Sequence, residues 1–206
     1  MQITQKIFFI ILIFIGLLPG TAGAASGIEI TPFGGFRFGG SFQDANTGDT
    51  IAIDEAGSYG LILDFDLEPS KQIEVYLSRQ STKLSSGGTF TGNPKFDLTI
   101  DYYHIGGLVL LEGDRVRPFV SGTFGLTRMD PQGADRTTEY YFSIALGGGV
   151  KVPLTDRLGL RFDARGIFTA VNTNSTVFCA NGGCAIQVQG GGILQGELTA
   201  GLIFKF

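Results

Sequence analysis

The chain has 206 residues, of which 43% are hydrophobic and 17% are charged, and its formal net charge is −4. This length suits one domain, and the mildly acidic balance argues against nucleic acid as a partner. After the N-terminal segment, no apolar run approaches the roughly 20 residues that a membrane-spanning helix needs. One histidine and two cysteines match no zinc-site spacing, and the sequence predicts no cofactor.

The first 24 residues are predicted to be a secretory signal peptide. Lys6 precedes an apolar run over residues 7–18, which is too short to span a membrane. Ala22, Gly23 and Ala24 then fit the small-residue cleavage site of such a peptide. An N-terminal membrane anchor is the alternative. The predicted organisation is a signal peptide over residues 1–24 and one further domain over residues 25–206.

After residue 24, apolar and polar residues alternate with the period of two that is typical of half-buried strands. In one segment Phe142, Ile144 and Leu146 lie on one face, and Ser143 and Ala145 lie on the other. Eight segments follow this pattern, at residues 28–40, 59–67, 72–80, 96–111, 116–128, 140–152, 158–168 and 194–206. Residues 96–111 carry apolar and aromatic side chains on both faces, so the register of that strand stays open.

The connections between these strands alternate in length. Residues 67–71, 111–115 and 153–157 are short turns, whereas residues 43–58, 82–95, 129–138 and 171–192 are long and rich in small polar residues. Short turns at one end and long loops at the other are typical of barrels in the outer membrane. The predicted fold is therefore all-β, an eight-stranded antiparallel up-and-down transmembrane β-barrel.

The polar faces of the strands carry ionisable groups of both signs near the strand centres. In an eight-stranded barrel they would lie inside, where side chains fill the space, and buried charges must form pairs. The predicted lumen ion-pair network consists of Arg37, Asp64, Glu74, Asp101, Arg117, Glu139, Lys151, Arg161, Asp163, Arg165 and Glu197. For Arg161, Asp163 and Arg165, which lie on one inward face, a solute filter is the functional alternative to a plug of ion pairs.

The apolar faces mix large residues with small ones such as Gly34, Ala164 and Ala200. A protein core needs close packing, whereas lipid chains can fill the gaps beside small residues. This favours a barrel in lipid over the alternative, a soluble barrel of the periplasm.

The sequence offers three further candidate sites: a cysteine pair, a histidine and an acidic segment. Cys179 and Cys184 are predicted to form a disulfide, because the chain is predicted to be exported. His104, the only histidine, is interpreted as structural, and no catalytic residue is predicted. The segment from Asp44 to Glu55 partly resembles a calcium-binding loop, but a solvated acidic loop is favoured, and no metal site is predicted.

Three cations lie on or just past the outward face of the barrel, at the loop ends of their strands: Arg79, Lys83 and Arg128. We hypothesise that they contact the phosphates of lipopolysaccharide, for which Arg and Lys donors are suited. Snorkelling of long side chains at the membrane interface is the alternative.

The chain ends with Leu202, Phe204 and Phe206 at alternate positions. With the predicted signal peptide, the hairpin rhythm and the segment "ITPFGGFRFGG", this end resembles the small outer-membrane β-barrel family of Gram-negative bacteria, the OmpA/OmpX type. The resemblance covers residues 25–206. It implies that these three residues act as a signal for the barrel-assembly machinery.

The expected function is structural or interactive: envelope integrity, or adhesion through the extracellular loops. A narrow transporter of small or hydrophobic solutes is the alternative, and a lipid A-modifying enzyme is a weaker one. The expected partners are outer-membrane lipid, lipopolysaccharide and a surface ligand at the loops. The protein is expected to be a monomer in the outer membrane and not an enzyme.

Overall fold

The computed structural model describes residues 27–44, 50–86, 93–113, 115–132, 138–171, 176–180, 183–189 and 191–206. For residues 42–44, 86, 93–96, 176–180 and 183–189 the description covers the backbone alone. The predicted signal peptide lies outside the described residues. Among the described residues, no helix is long and apolar enough to cross a membrane.

Eight long strands form the wall of the molecule. They are β1 (Ile28–Phe38), β4 (Ala56–Glu68), β5 (Lys71–Ser86), β6 (Asn93–Leu110), β7 (Arg117–Pro131), β8 (Glu139–Pro153), β9 (Leu158–Thr169) and β12 (Ile193–Lys205). Each pairs antiparallel with the next in the chain, and β12 pairs with β1, so the sheet closes. The predicted eight-stranded up-and-down barrel is confirmed.

The register fixes the tilt of the strands. A row of paired residues starts at Pro118 on β7 and passes once around the barrel, through Val150, Phe162, Ala200, Gly34, Tyr59, Arg79 and Asp101. It returns to β7 at Arg128, ten residues above its start. Ten residues of a strand tilted by about 40° rise about 25 Å, which is the height of the apolar band of an outer-membrane barrel.

Four short strands extend the wall at the loop end. They are β2 (Ser41–Asp44), β3 (Thr50–Ile53), β10 (Thr176–Ala180) and β11 (Gly183–Gln189), which pair in the order β10-β11-β2-β3-β5. Gly39 and Gly40 separate β2 from β1 with φ angles of 76° and 101°, a conformation that favours glycine. Two of the predicted long loops are therefore largely β-structure, a feature that their content of small polar residues did not indicate.

The two faces of the wall differ as the alternation predicts. Outward-facing apolar side chains are exposed, among them Leu146 at 72% and Phe206 at 74%. Inward-facing side chains are mostly buried: in β9 buried positions alternate with more exposed ones along the whole strand, and in β8 Ser143, Ala145 and Lys151 are buried. A barrel in water would place these apolar groups in solvent, so the outward face requires lipid.

An apolar cluster closes the lumen at the loop end. Its members come from the loop-end parts of the long strands, from β3 and from the segment that follows β9, and each is at most 3% exposed: Ile51, Ile53, Leu84, Leu98, Ile100, Met129, Val171 and Ile193. We call this group the apolar cap. Asp54 holds the end of β3, because its backbone N–H donates to Lys83 and its carboxylate accepts from Ser85 at 2.9 Å.

The C-terminus is part of the barrel. The backbone N–H of Phe206 donates to the carbonyl of Ile28 at 2.9 Å, and the N–H of Ile28 donates back at 3.3 Å. Leu202, Phe204 and Phe206 face outward, as predicted, while Lys205 faces the turn end of the lumen.

We expect Phe206→Ala to lower the yield of inserted barrel, because it removes the terminal aromatic group and keeps both backbone bonds to Ile28. Phe206→Tyr is the matched control and should insert normally. The measurement is the heat-modifiable gel migration of the membrane fraction. Normal insertion of Phe206→Ala would contradict the role of the aromatic side chain in assembly.

Candidate functional site

The middle of the lumen is filled by an ion-pair network. Arg161 donates to Asp64 at 2.8 Å, to Glu74 at 2.5 Å and to Asp163 at 2.8 Å. Arg165 donates to Glu74 at 2.9 Å and to the same Asp163 oxygen at 2.8 Å. All five side chains are at most 2% exposed. Two guanidinium groups are thus held between three carboxylates from β4, β5 and β9.

Lys151 extends this network toward the turn end. Its ammonium donates to Glu29 at 2.6 Å, to Asp64 at 2.7 Å and to the side-chain oxygen of Gln72 at 2.7 Å. Three acceptors use all three donors of the ammonium group. A lysine from β8 therefore crosses the lumen to residues of β1, β4 and β5.

A second part of the network lies nearer the loop end. Arg37 donates to Glu197 at 2.7 Å, and both side chains are fully buried. The same guanidinium donates to Ser78, and the hydroxyl of Tyr76 donates to Glu197. Arg37 and Glu197 are also direct register partners across the β1–β12 seam. This pair therefore joins the first and last strands from inside.

Aromatic rings fill the space between the charged groups. The guanidinium carbon of Arg165 lies 4.3 Å from the centre of the Tyr76 ring, and that of Arg161 lies 4.5 Å from the centre of the Phe119 ring. Arg37 lies 4.6 Å from the Tyr102 ring. Such cation–π contacts are strongest where water is excluded.

The paired charges of the lumen balance. With Lys205, which lies 3.5 Å from Glu29 at the turn end, the described network holds five cations and five carboxylates. The cations are Arg37, Lys151, Arg161, Arg165 and Lys205, and the carboxylates are Glu29, Asp64, Glu74, Asp163 and Glu197. The sequence did not place Glu29 in the network, although it shares the inward face of β1 with Arg37.

His104 faces the lumen and bridges two hydroxyl groups. Its Nε2 lies 2.7 Å from the Ser143 hydroxyl, and its Nδ1 lies 3.2 Å from the Thr123 hydroxyl. All three residues are at most 4% exposed. Catalytic Ser–His pairs use a carboxylate to orient the imidazole and need access to substrate. The position of His104 therefore fits the structural interpretation.

The outward face carries a charged cluster at the loop end, which we call the outer rim cluster. Asp101 accepts two bonds from Arg79, at 2.6 and 3.0 Å, and one from Arg128 at 3.0 Å. Arg128 also donates to Asp130 at 2.6 Å. Lys83 lies 3.4 Å from Asp97 and is more than half exposed. Two of the three cations predicted to contact lipopolysaccharide, Arg79 and Arg128, therefore share one carboxylate, and Lys83 lies further along β5 with a partner of its own.

Three residues that we predicted in the lumen network are placed elsewhere. Asp101 faces outward, since it alternates with the inward-facing Ile100 and Tyr102, and two arginines reduce its side-chain exposure to 3%. Arg117 is at the turn end, where it donates to the carbonyl of Pro69 at 3.2 Å. Glu139 is at the loop end and accepts from Tyr141. For Arg117 and Glu139 the alternation predicted the face of the strand, but not how far along the barrel each residue lies from the network.

Two other predictions are only partly covered by the description. Cys179 and Cys184 are register partners in the β10–β11 pair, but their side chains lie outside the described residues, so the disulfide stays a prediction. Of the segment from Asp44 to Glu55, residues 45–49 lie outside the description, and the rest includes β3. Among the described residues, no group of three or more potential metal ligands is present.

Residues 11–206 match the family described as outer membrane protein beta-barrel domain. The chain belongs to this family. The family resemblance drawn from the sequence is thereby confirmed, and the family places the barrel in the outer membrane. Barrels of this kind have short turns in the periplasm and long loops outside. No curated protein matches the chain.

Solved structures show the same fold at low sequence identity. Neisserial surface protein A (NspA) is 13% identical with a TM-score of 0.61, and the match covers 88% of this chain and 100% of that one. AlkL is 14% identical with a TM-score of 0.57, covering 92% and 94%. The N-terminal barrel domain of Pseudomonas aeruginosa OprF is 13% identical with a TM-score of 0.50, covering 88% and 98%.

We expect Glu74→Gln to destabilise the barrel by about 3–5 kcal/mol, because it leaves Arg161 and Arg165 buried with too little compensating charge. The control is Lys71→Gln, which breaks the exposed pair with Glu68 and should change the free energy of unfolding by less than about 1 kcal/mol. Urea unfolding in detergent micelles measures both. Equal stability of the two variants would contradict a structural role for the network.

Proposed function

We propose that the protein is a structural outer-membrane barrel that neither conducts ions nor catalyses a reaction. The filled lumen carries this proposal. Its cross-section is occupied by the ion pairs around Arg161 and Arg165, and the apolar cap covers the loop end. An eight-stranded barrel has an interior just wide enough for side chains to fill it, so no continuous water path is expected.

We propose that the protein is not an enzyme because of the side chains that surround His104. Its ring lies within hydrogen-bond distance of the hydroxyls of Ser143 and Thr123, and among the described residues no carboxylate forms a hydrogen bond with it. His104 is also buried in the lumen. An unchanged lipid A profile after expression of the protein is the expected result. A new lipid A species that disappears in His104→Gln would support the enzyme alternative.

We further propose that the extracellular end presents the interacting surface. The sheet β10-β11-β2-β3 extends the wall at the loop end, where β3 pairs with β5. Extended β-structure holds a surface in a defined shape, whereas an irregular loop does not. A role in adhesion or envelope integrity fits a barrel whose lumen is filled by side chains and whose loop end includes these four short strands.

The outer rim cluster is proposed to contact the phosphates of lipopolysaccharide. The paired row passes through Arg79 and Asp101 in the last part of its circuit and ends at Arg128, about 25 Å above its start at Pro118, near the upper edge of the apolar band. Asp101 orients both guanidinium groups and uses only some of their donors, which leaves N–H groups for a phosphate. Lys83 lies further out on the same strand as Arg79.

A purified sample in planar bilayers is expected to give no stable conductance steps, because side chains fill the lumen. A porin reconstituted in the same bilayers is the positive control. Stable channels that pass small ions would contradict the closed lumen and support the narrow-transporter alternative.

We expect the triple variant Arg79→Gln, Asp101→Asn, Arg128→Gln to bind lipopolysaccharide at least about tenfold more weakly, since charge-assisted bonds to phosphate are lost. Replacing Asp101 together with both arginines avoids leaving its carboxylate unpaired, and Asp130, which loses Arg128, still accepts from the Thr138 hydroxyl at 2.9 Å. The control Glu68→Gln, Lys71→Gln neutralises an ion pair at the periplasmic end. Titration with lipopolysaccharide and with its dephosphorylated form measures the effect.

The dephosphorylated form should bind the wild type and the triple variant equally. If the triple variant binds intact lipopolysaccharide as tightly as the wild type, the cluster serves only as a neutral ion-pair group at the interface.

A further inference from the structure

A cleft lies at the periplasmic mouth of the lumen. Its volume is about 290 Å³, close to the lower end of the range of ligand pockets. The residues that line it belong to the first short turn, residues 67–71, which we call the first periplasmic turn, and to neighbouring strands: Asp66, Leu67, Glu68, Pro69, Gln72, Leu110, Arg117 and Lys205. The cleft is separate from the outer rim cluster, which is at the other end of the barrel.

One anion and one cation of this cleft form no ion pair among the described residues. Arg117 donates a single bond, to the carbonyl of Pro69 at 3.2 Å, so most of its donors are unused. Asp66 accepts one bond from the Gln72 amide at 2.7 Å. The other charges around the cleft are paired, since Glu68 lies 2.8 Å from Lys71 and Lys205 lies 3.5 Å from Glu29.

The floor of the cleft is held from inside the barrel. Leu110 is 7% exposed and packs with Leu108 and Phe119, which gives the cleft an apolar base. Gln72 is 3% exposed, and its side-chain oxygen accepts from Lys151 while its amide donates to Asp66. The Asp66 carboxylate is thus connected through Gln72 to the lumen network and has little freedom to turn toward Arg117.

We propose that this cleft binds a small zwitterion of the periplasm, a molecule with a free carboxylate and a free ammonium group, such as an amino acid or a dipeptide. Arg117 binds the carboxylate, and Asp66 binds the ammonium group. A ligand that has one charge alone would leave the opposite protein charge uncompensated in the cleft. The small volume of the cleft excludes a folded partner.

The test uses glycylglycine, its N-acetylated form and its C-terminal amide, titrated into the folded full-length barrel in detergent micelles. We expect saturable binding of glycylglycine and about tenfold weaker binding of each blocked form. In Arg117→Gln the amide should bind as well as glycylglycine. In Asp66→Asn the N-acetylated form should bind as well as glycylglycine.

Two controls separate the site from general effects. Arg157→Gln removes an exposed cation of another periplasmic turn that does not line the cleft, and it should leave all three affinities unchanged. Arg117→Lys keeps the cation and should retain the preference for a free carboxylate. Heat-modifiable gel migration verifies that each variant is folded.

Three results would overturn the proposal: no saturable binding of glycylglycine to the wild type, equal affinity for the free and blocked peptides, or an equal loss of affinity in Arg157→Gln. Binding of both acetate and glycylglycine that depends on Arg117 but not on Asp66 would show an anion site and would also refute the zwitterion. None of these outcomes depends on lumen conductance or lipopolysaccharide binding.

Discussion

Hydrocarbon offers no hydrogen-bond partners to the backbone, so every N–H and C=O group that crosses it must be paired within the protein. In this chain the requirement is met by closing the sheet between β1 and β12, where the pairing runs from Glu29 with Lys205 to Phe38 with Gly196. Closure with eight strands and a shift of ten residues, from Pro118 to Arg128, sets the strand tilt. A barrel of this size leaves an interior that side chains fill.

The narrow interior explains the ion pairs. Side chains that point inward leave the lipid and must meet one another across the lumen, and a charge placed there is stable only if it is paired. Arg161, Glu74 and Lys151 show how this works, since each bonds to residues on strands that are not its neighbours. The network therefore ties the wall together through its centre, in addition to the backbone bonds between adjacent strands.

The tilt also brings together residues that are far apart in sequence on the outer surface. Arg79, Asp101 and Arg128 occupy adjacent strands in one paired row, at the upper edge of the apolar band. At the opposite end, Arg117 and Asp66 come to line one cleft because β7 and the first periplasmic turn meet at the mouth of the lumen. The two ends of the barrel thus present different charged surfaces, separated by the lumen that holds the ion-pair network.

The sequence alone determined the number of long wall strands, the two-face alternation and the order of short turns and long loops, because a period of two is a local property of a strand that has lipid on one side. It also identified Arg37, Asp64, Glu74, Lys151, Arg161, Asp163, Arg165 and Glu197 as inward charges. The tertiary structure decided which charges meet. Both faces of β6 carry aromatic residues, Tyr102 on one and Tyr103 on the other, so the sequence pattern did not show which face is inward. Asp101 could therefore be assigned to the outward face only once the register with β5 and β7 was known. Partners across a lumen depend on closure and tilt, which no local stretch of residues contains.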